Sequence, residues 1–212
     1  MSNSALLLVS ASGLAREAAV AAAAAGFEVR GFLDDDTSQW GTSREGVPVL
    51  GGLDLVAEHP DAGVVICTGQ GRVRAAIAGR LAADGLDAGR YATVIHPSVA
   101  VPESCTVGAG SILLANTVLT TAVTIGRHCV VMPQVTLTHD NVLADFVTIA
   151  AGVSLGGWTR VGERGYLGMN ASVRERVSLA ADVTIGMGAV VLTDAPPGST
   201  LVGNPARPLV RG

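Results

Sequence analysis

A six-residue period runs through the second half of the chain. Stepping by six from Ile95 reaches Val101, Val107, Leu113, Leu119, Ile125, Val131, Leu137, Leu143, Ile149, Leu155, Val161, Leu167, Val173, Leu179, Ile185 and Val191, and all seventeen positions hold Leu, Ile or Val. With roughly three residues in ten of those types, chance gives such a run on the order of once in a billion trials. Four positions further on the residue is mostly small: Val99, Cys105, Ser111, Thr117, Val123, Cys129 and Val135, through to Ala189 and Ala195, with Asn141 the misfit. A hexad repeat of this kind predicts a parallel β-helix, in which each hexad forms one flat side and three hexads close a coil. Both recurring positions point inward and stack like on like at a strand spacing of about 4.8 Å. Seventeen hexads make nearly six coils of a three-sided prism.

Composition agrees with so narrow a bore. Aromatic residues make up only 3% of the chain although 49% is hydrophobic, so the core is built from Val, Leu, Ile and Ala. The first ninety-odd residues follow another rule, alternating short aliphatic runs with helix-like segments. Residues 5–9 (ALLLV), 27–33 (FEVRGFL) and 63–69 (GVVICTG) read as strands, 13–26 as an Ala-rich helix ended by Gly26, and 72–85 as a second helix. That alternation predicts parallel βαβ units, a small Rossmann-like sheet. The predicted organisation is an α/β Rossmann-like domain over 1–93, a β-helix over 94–195 and a C-terminal tail over 196–212.

A net charge of −4 without any block of Lys or Arg removes the footprint of a nucleic-acid binder and of a basic membrane face. Cys67, Cys105 and Cys129 are odd in number and lack a CxxC spacing, so neither a disulfide framework nor a zinc site is expected. Cys105 and Cys129 fall in the small inward column and are expected in the core. The N-terminal apolar run is short and has no positive residues before it, unlike a signal peptide. The poly-Ala stretch near Ala21 is too short to span a bilayer. A cytoplasmic protein is expected.

The pattern [LIV]-[GA]-x-x-[small]-x resembles that of the hexapeptide-repeat acyltransferases, whose β-helix is left-handed; the handedness comes from this resemblance and not from the period. With SASG (10–13) after the first strand, GFLDDD (31–36) at the second and VGNPAR (202–207) near the end, essentially the whole chain resembles the nucleotide-sugar acetyltransferases of the PglD/NeuD type. The resemblance implies acetyl-CoA as cosubstrate, a nucleotide-linked amino sugar as acceptor, a homotrimer with active sites between subunits, and no metal.

The stretch VTLTHDN (135–141) sets a histidine and an aspartate inside the monotonous repeat. His139 is the third residue of its hexad and faces outward near a corner. Eighteen residues on, one full coil later, lies Gly157. A proton acceptor stacked on a backbone N–H free of side chain is what acyl transfer requires: a general base for the incoming nucleophile and a donor for the oxyanion. By resemblance, THD matches the family's catalytic histidine and following acid, which makes His139 the base and Asp140 its orienting partner. The implied reaction is direct attack on the thioester without a covalent enzyme intermediate. His59, His96 and His128 are expected at the solvated surface. Their spacings do not match the metal-dependent carbonic anhydrases that share this prism.

Further roles rest on the resemblance. Acetyl-CoA would run past Gly157, Gly168, Met169, Gly186 and Gly188, with Arg207 near its phosphates. For the nucleotide sugar, Ser12 and Gly13 would form a phosphate-approaching loop at a helix N-terminus. Asp34 and Asp35 match paired aspartates that face base and ribose, and Arg74 resembles a family arginine near the pocket, or is a solvated helix residue. The chain departs from the family pattern at Ser10, often glycine; at Leu14, commonly histidine or an aromatic; at Met132, a polar Asn; and at Thr148, a second histidine in some members. The leading expectation is N-acetylation of the sugar's amine; transfer to a hydroxyl or another small-molecule acceptor, and a non-catalytic trimeric nucleotide-binding scaffold, are the alternatives.

Overall fold

The computed structural model describes residues 4–209. Its first part is a five-stranded sheet. Strands β1 (Ala5–Val9), β2 (Glu28–Leu33), β3 (Ser43–Arg44), β4 (Val47–Gly51) and β5 (Gly63–Ile66) lie in the order β3-β4-β2-β1-β5. All pairings are parallel except the short β3-β4 hairpin. Helices α1 (Gly13–Ala24) and α2 (Gly71–Ala83) follow β1 and β5. The α/β expectation holds; the sequence reading passed over β3 and β4, where Pro48 interrupts the aliphatic pattern and Glu45 and Gly46 form the turn with positive φ.

From Val94 onward the chain winds as a prism of two-residue strands. One face stacks Val94–Ile95, Ile112–Leu113, Val130–Val131, Thr148–Ile149, Tyr166–Leu167 and Thr184–Ile185. A second stacks Thr106–Val107, Thr124–Ile125, Val142–Leu143, Arg160–Val161 and Ser178–Leu179, and a third Val118–Leu119, Thr136–Leu137, Ser154–Leu155, Ser172–Val173 and Val190–Val191. Every pairing along these coils joins residues eighteen apart, as Leu137↔Leu155 shows. The predicted tail adds one more rung, since Thr200–Val202 pairs with Thr184–Ile185.

The corners repeat too. Asn116, Ala122, His128, Gln134, Asp140, Phe146, Trp158, Arg164, Asn170, Arg176 and Asp182, each the fourth residue of its hexad, have φ between 53° and 63° except Ala122 at 52°. L-residues resist that left-handed backbone, and the ladder of inter-coil hydrogen bonds on both sides holds them there. The inward columns, Cys105 and Cys129 included, form one continuous apolar core.

The two parts share a second core. Leu14, Ala15 and Ala18 of α1 pack with Leu8, Phe32 and Val65 of the sheet and with Ile112, Leu114 and Val130 of the first prism face. Arg74 of α2 crosses the same junction and is fully buried. Its guanidinium donates to the carbonyls of Thr68, His128, Phe146 and Val147 and to the Thr148 hydroxyl, at 2.6 to 3.1 Å. Thr148 passes a bond on to the Gly69 carbonyl.

Candidate active site

His139 and Gly157 meet as their spacing predicts. The imidazole lies against Gly157 so closely that a Cβ there would collide with ring atoms Cε1 and Nε2. Nδ1 of His139 is 2.9 Å from Oδ2 of Asp140, which fixes the ring and leaves Nε2 toward Gly157. Among the described residues the Gly157 N–H donates to no acceptor in the chain. His139 and Asp140 are both a little over two-fifths exposed, within reach of a substrate.

Two further residues complete this corner, and the sequence reading missed them. Trp158 presents its ring edge-on to His139, with centroids 4.3 Å apart. One coil on, the Arg176 guanidinium lies 4.2 Å from the Trp158 ring centre. Asp140, Trp158 and Arg176 occupy the fourth position of successive coils, so their stacking follows from the same eighteen-residue arithmetic.

The other residues read as binding cosubstrate lie elsewhere on the prism. Gly168, Met169, Gly186 and Gly188 share the corner between the first and third faces, whereas His139 and Gly157 sit between the third and second. Gly168 is required by close stacking, because a Cβ would strike the Gly186–Met187 backbone. Gly188 has φ of 66° and open space around it. Met169 is half exposed, and Arg207 is exposed on the last rung.

Beside that second corner lies an apolar cleft of about 380 Å³, lined on the α/β side by Leu14, Glu17 and Gly69 and on the prism side by Val130, Met132, Pro133, Thr148, Ala150, Ala151, Tyr166 and Met169. Three positions that depart from the family pattern, Leu14, Met132 and Thr148, thus line one space. Thr148 offers it little, since its hydroxyl accepts from Arg74 and donates to Gly69.

At the C-terminal ends of β1 and β2, Val9, Ser10, Leu33, Asp34, Asp35, Leu53, Thr68 and Ile77 enclose about 190 Å³, the usual place for a ligand in an open α/β sheet. Ser10 has φ of 90°, a conformation natural to the glycine that the family often carries there. Asp34 accepts from the Ala11 and Asp36 amides at 2.8 and 3.0 Å, and Asp35 pairs with Arg80. Ser12 caps α1 and donates to the Cys67 carbonyl at 2.7 Å. Gly13 begins the helix with open space around its Cα.

Two expectations need correction. Arg74 has no exposed surface, so it neither touches a ligand from solvent nor sits on a solvated helix face; it ties the two parts together. His128 is likewise fully buried, because the α/β part covers its corner: it meets Tyr91 edge-on at 4.4 Å and stacks on Phe146 at 5.1 Å. Burial, aided by the charge of Arg127, pushes its pKa down to about 4. His59 and His96 are half-buried. Among the described residues no three His, Cys, Asp or Glu side chains are grouped to hold a metal, and no helix is long and apolar enough to cross a membrane.

Fold and site together define a hexapeptide-repeat acyltransferase built on a left-handed parallel β-helix behind a Rossmann-like domain. Residues 5–81 match the family model of the PglD N-terminal domain. The acetyltransferase domain of PglB from Neisseria gonorrhoeae is 32% identical, superposes with a TM-score of 0.88, and is matched over 98% of this chain and 100% of that one; it is also known in complex with acetyl coenzyme A. The chain belongs to the PglD/NeuD-type sugar acetyltransferase family. A histidine-to-asparagine variant of perosamine N-acetyltransferase from Caulobacter crescentus, in complex with CoA and GDP-perosamine, is 25% identical with a TM-score of 0.89, over 98% of this chain and 97% of that one. GDP-perosamine N-acetyltransferase of Escherichia coli O157:H7 is 28% identical over 124 residues, 56% of each chain. The match spans about half the length of such curated relatives.

Proposed function

We propose that the protein transfers the acetyl group of acetyl-CoA to the amine of a nucleotide-linked amino sugar. The observation that carries this reading is the seating of His139 on Gly157, with Asp140 on the far ring nitrogen. The amine nitrogen attacks the thioester carbonyl as Nε2 of His139 takes its proton, and the Gly157 N–H receives the oxyanion. Collapse of the tetrahedral intermediate forms the amide and breaks the C–S bond, and the imidazolium returns the proton to the departing thiolate.

The nucleotide occupies the crevice at Asp34 and Asp35, with its phosphates over Ser12 and Gly13. The sugar reaches into the apolar cleft at Leu14 and Met132. Because that cleft and the His139 corner belong to different edges of one prism, the reading includes a homotrimer in which one copy's His139 faces its neighbour's cleft. Acetyl-CoA then lies between copies, along Gly157 on one side and Gly168, Met169, Gly186 and Gly188 on the other, with Arg207 at its phosphates. A cytoplasmic location supplies both substrates.

The test is release of free thiol from acetyl-CoA on addition of nucleotide-linked 3-amino and 4-amino sugars, with the product's acetyl group resisting hydroxylamine as an amide does. A hydroxylamine-labile product would shift the acceptor to a hydroxyl. Calorimetry showing no acetyl-CoA binding would overturn the reading in favour of a binding scaffold.

A further inference from the structure

Asn141 is the one misfit in the inward column, and the acyl-transfer reading above does not use it. The residue is fully buried. Its Nδ2 donates to the Gly156 carbonyl at 2.7 Å, while its Oδ1, equally buried, has no partner in the chain among the described residues. Rotating the amide would set oxygen against oxygen, so the nitrogen faces Gly156. The same carbonyl accepts from the Thr159 hydroxyl at 2.8 Å, and Thr159 is buried too. Gly156 is thus the prism carbonyl, among the described residues, that two different side chains reach.

That carbonyl and the Gly157 N–H are the two ends of one peptide group. In a trans peptide the N–H points opposite to the carbonyl, so holding the oxygen inward aims the N–H outward, at the residue that the His139 ring rests against. Hydrogen bonds accepted at the carbonyl also polarise the N–H of the same amide, as in any hydrogen-bonded chain of peptide dipoles. We propose that Asn141 is a positioning residue for acyl transfer, which with Thr159 clamps the Gly156–Gly157 peptide so that its N–H is fixed and polarised toward the oxyanion. The proposal rests on the reading of Gly157 as oxyanion donor.

Coil-to-coil stacking does not require an asparagine here. Elsewhere the column bonds the corresponding carbonyl, fifteen residues ahead, with smaller groups: Ser111 donates to the Gly126 carbonyl at 2.9 Å and Cys129 to that of Ala144 at 3.1 Å. At Val123, Val135, Val147 and Val153 it does without. Thr159 resembles Thr117, which makes the same bonds at Leu114 and Met132. Within this inward column, among the described residues, Asn141 is the one that leaves a buried acceptor unpaired, at a cost of about 1–3 kcal/mol that the valines of the column do not bear.

The experiment compares Asn141→Val, which packs as the column's commonest residue, with Asn141→Ser, which restores a donor in the geometry of Ser111. The Asn141→Val protein is expected to keep its melting temperature and its KM for acetyl-CoA and acceptor, while kcat falls about tenfold or more. Asn141→Ser recovers most of the loss. Independently of turnover, the Gly157 amide resonance in protein labelled on glycine nitrogen is expected to shift in Asn141→Val and return in Asn141→Ser. A kcat within twofold of the parent, or an unmoved Gly157 resonance, overturns the proposal. Absence of turnover in the parent protein would instead sink the acetyltransferase reading, and the resonance would then decide the clamp alone.

Discussion

The imidazole of His139 occupies the volume that a side chain on Gly157 would need. The imidazole and the Gly157 backbone are therefore one fitted pair.

Replacing Gly157 by Ala is expected to push the ring aside. The backbone at 157 tolerates alanine, so the melting temperature should change little while kcat falls about a hundredfold. Thiol-release kinetics beside a thermal melt check both; activity surviving in the substituted protein would show that the ring need not rest there.

Removing the imidazole itself, in His139→Ala, is expected to abolish turnover and leave acetyl-CoA binding and fold intact. Asp140→Asn, which keeps a hydrogen-bond acceptor at Nδ1 without the charge, should lose less, about tenfold to a hundredfold. Equal losses in the two would mean that Asp140 does more than orient the ring.

Stability should fall on the acid side because of His128. Its pKa is about 4 in the folded chain against a usual value near 6.5, so between those values the unfolded chain binds a proton that the folded one refuses. The contribution is complete above about pH 6.5 and is lost as pH drops toward 4, on the order of 2–3 kcal/mol. Urea unfolding at pH 7 and pH 4.5 should show a smaller difference in His128→Phe than in the parent; an unchanged difference would remove His128 as the cause.

Arg74 is protonated inside the junction, its pKa lowered to about 10 by burial. Arg74→Met would strand the carbonyls of Thr68, His128 and Phe146, and should destabilise the protein by about 3 kcal/mol or more. Denaturant unfolding measures it, and hydrogen exchange should rise first at Val130 and Thr148, whose bonded amides lie beside the lost guanidinium. A loss under 1 kcal/mol would mean that water replaces the guanidinium well.

What could be read from sequence follows from how far each residue's surroundings are set by local repetition. Leu137, Leu155 and the other hexad leaders announce their own strands, and eighteen-residue spacing alone stacks His139 on Gly157. Trp158 and Arg176 obeyed the same rule and were legible in principle, but nothing marked an aromatic and a cation as partners until the ring orientations were seen. His128 and Arg74 were illegible for a different reason: their burial depends on Tyr91, Phe146 and α2 meeting across a junction between segments far apart in the chain. Pro48 hid β4 because proline is rare within a paired strand, and here it lies opposite Ser43 of the two-residue β3.

The coil pairing has a consequence for how such a chain tolerates changes of length. Up to Val191 every rung is locked to the residue eighteen places away, so the prism behaves as a ruler with a fixed graduation. A loop added at a corner bulges outward and leaves the count of rungs alone. A residue gained or lost inside a rung between His139 and Gly157 slides the imidazole off the glycine, and inserting a whole coil there parts them by one full storey. Elsewhere along the ruler, length can change in whole eighteens while the His139 ring and Gly157 stay face to face.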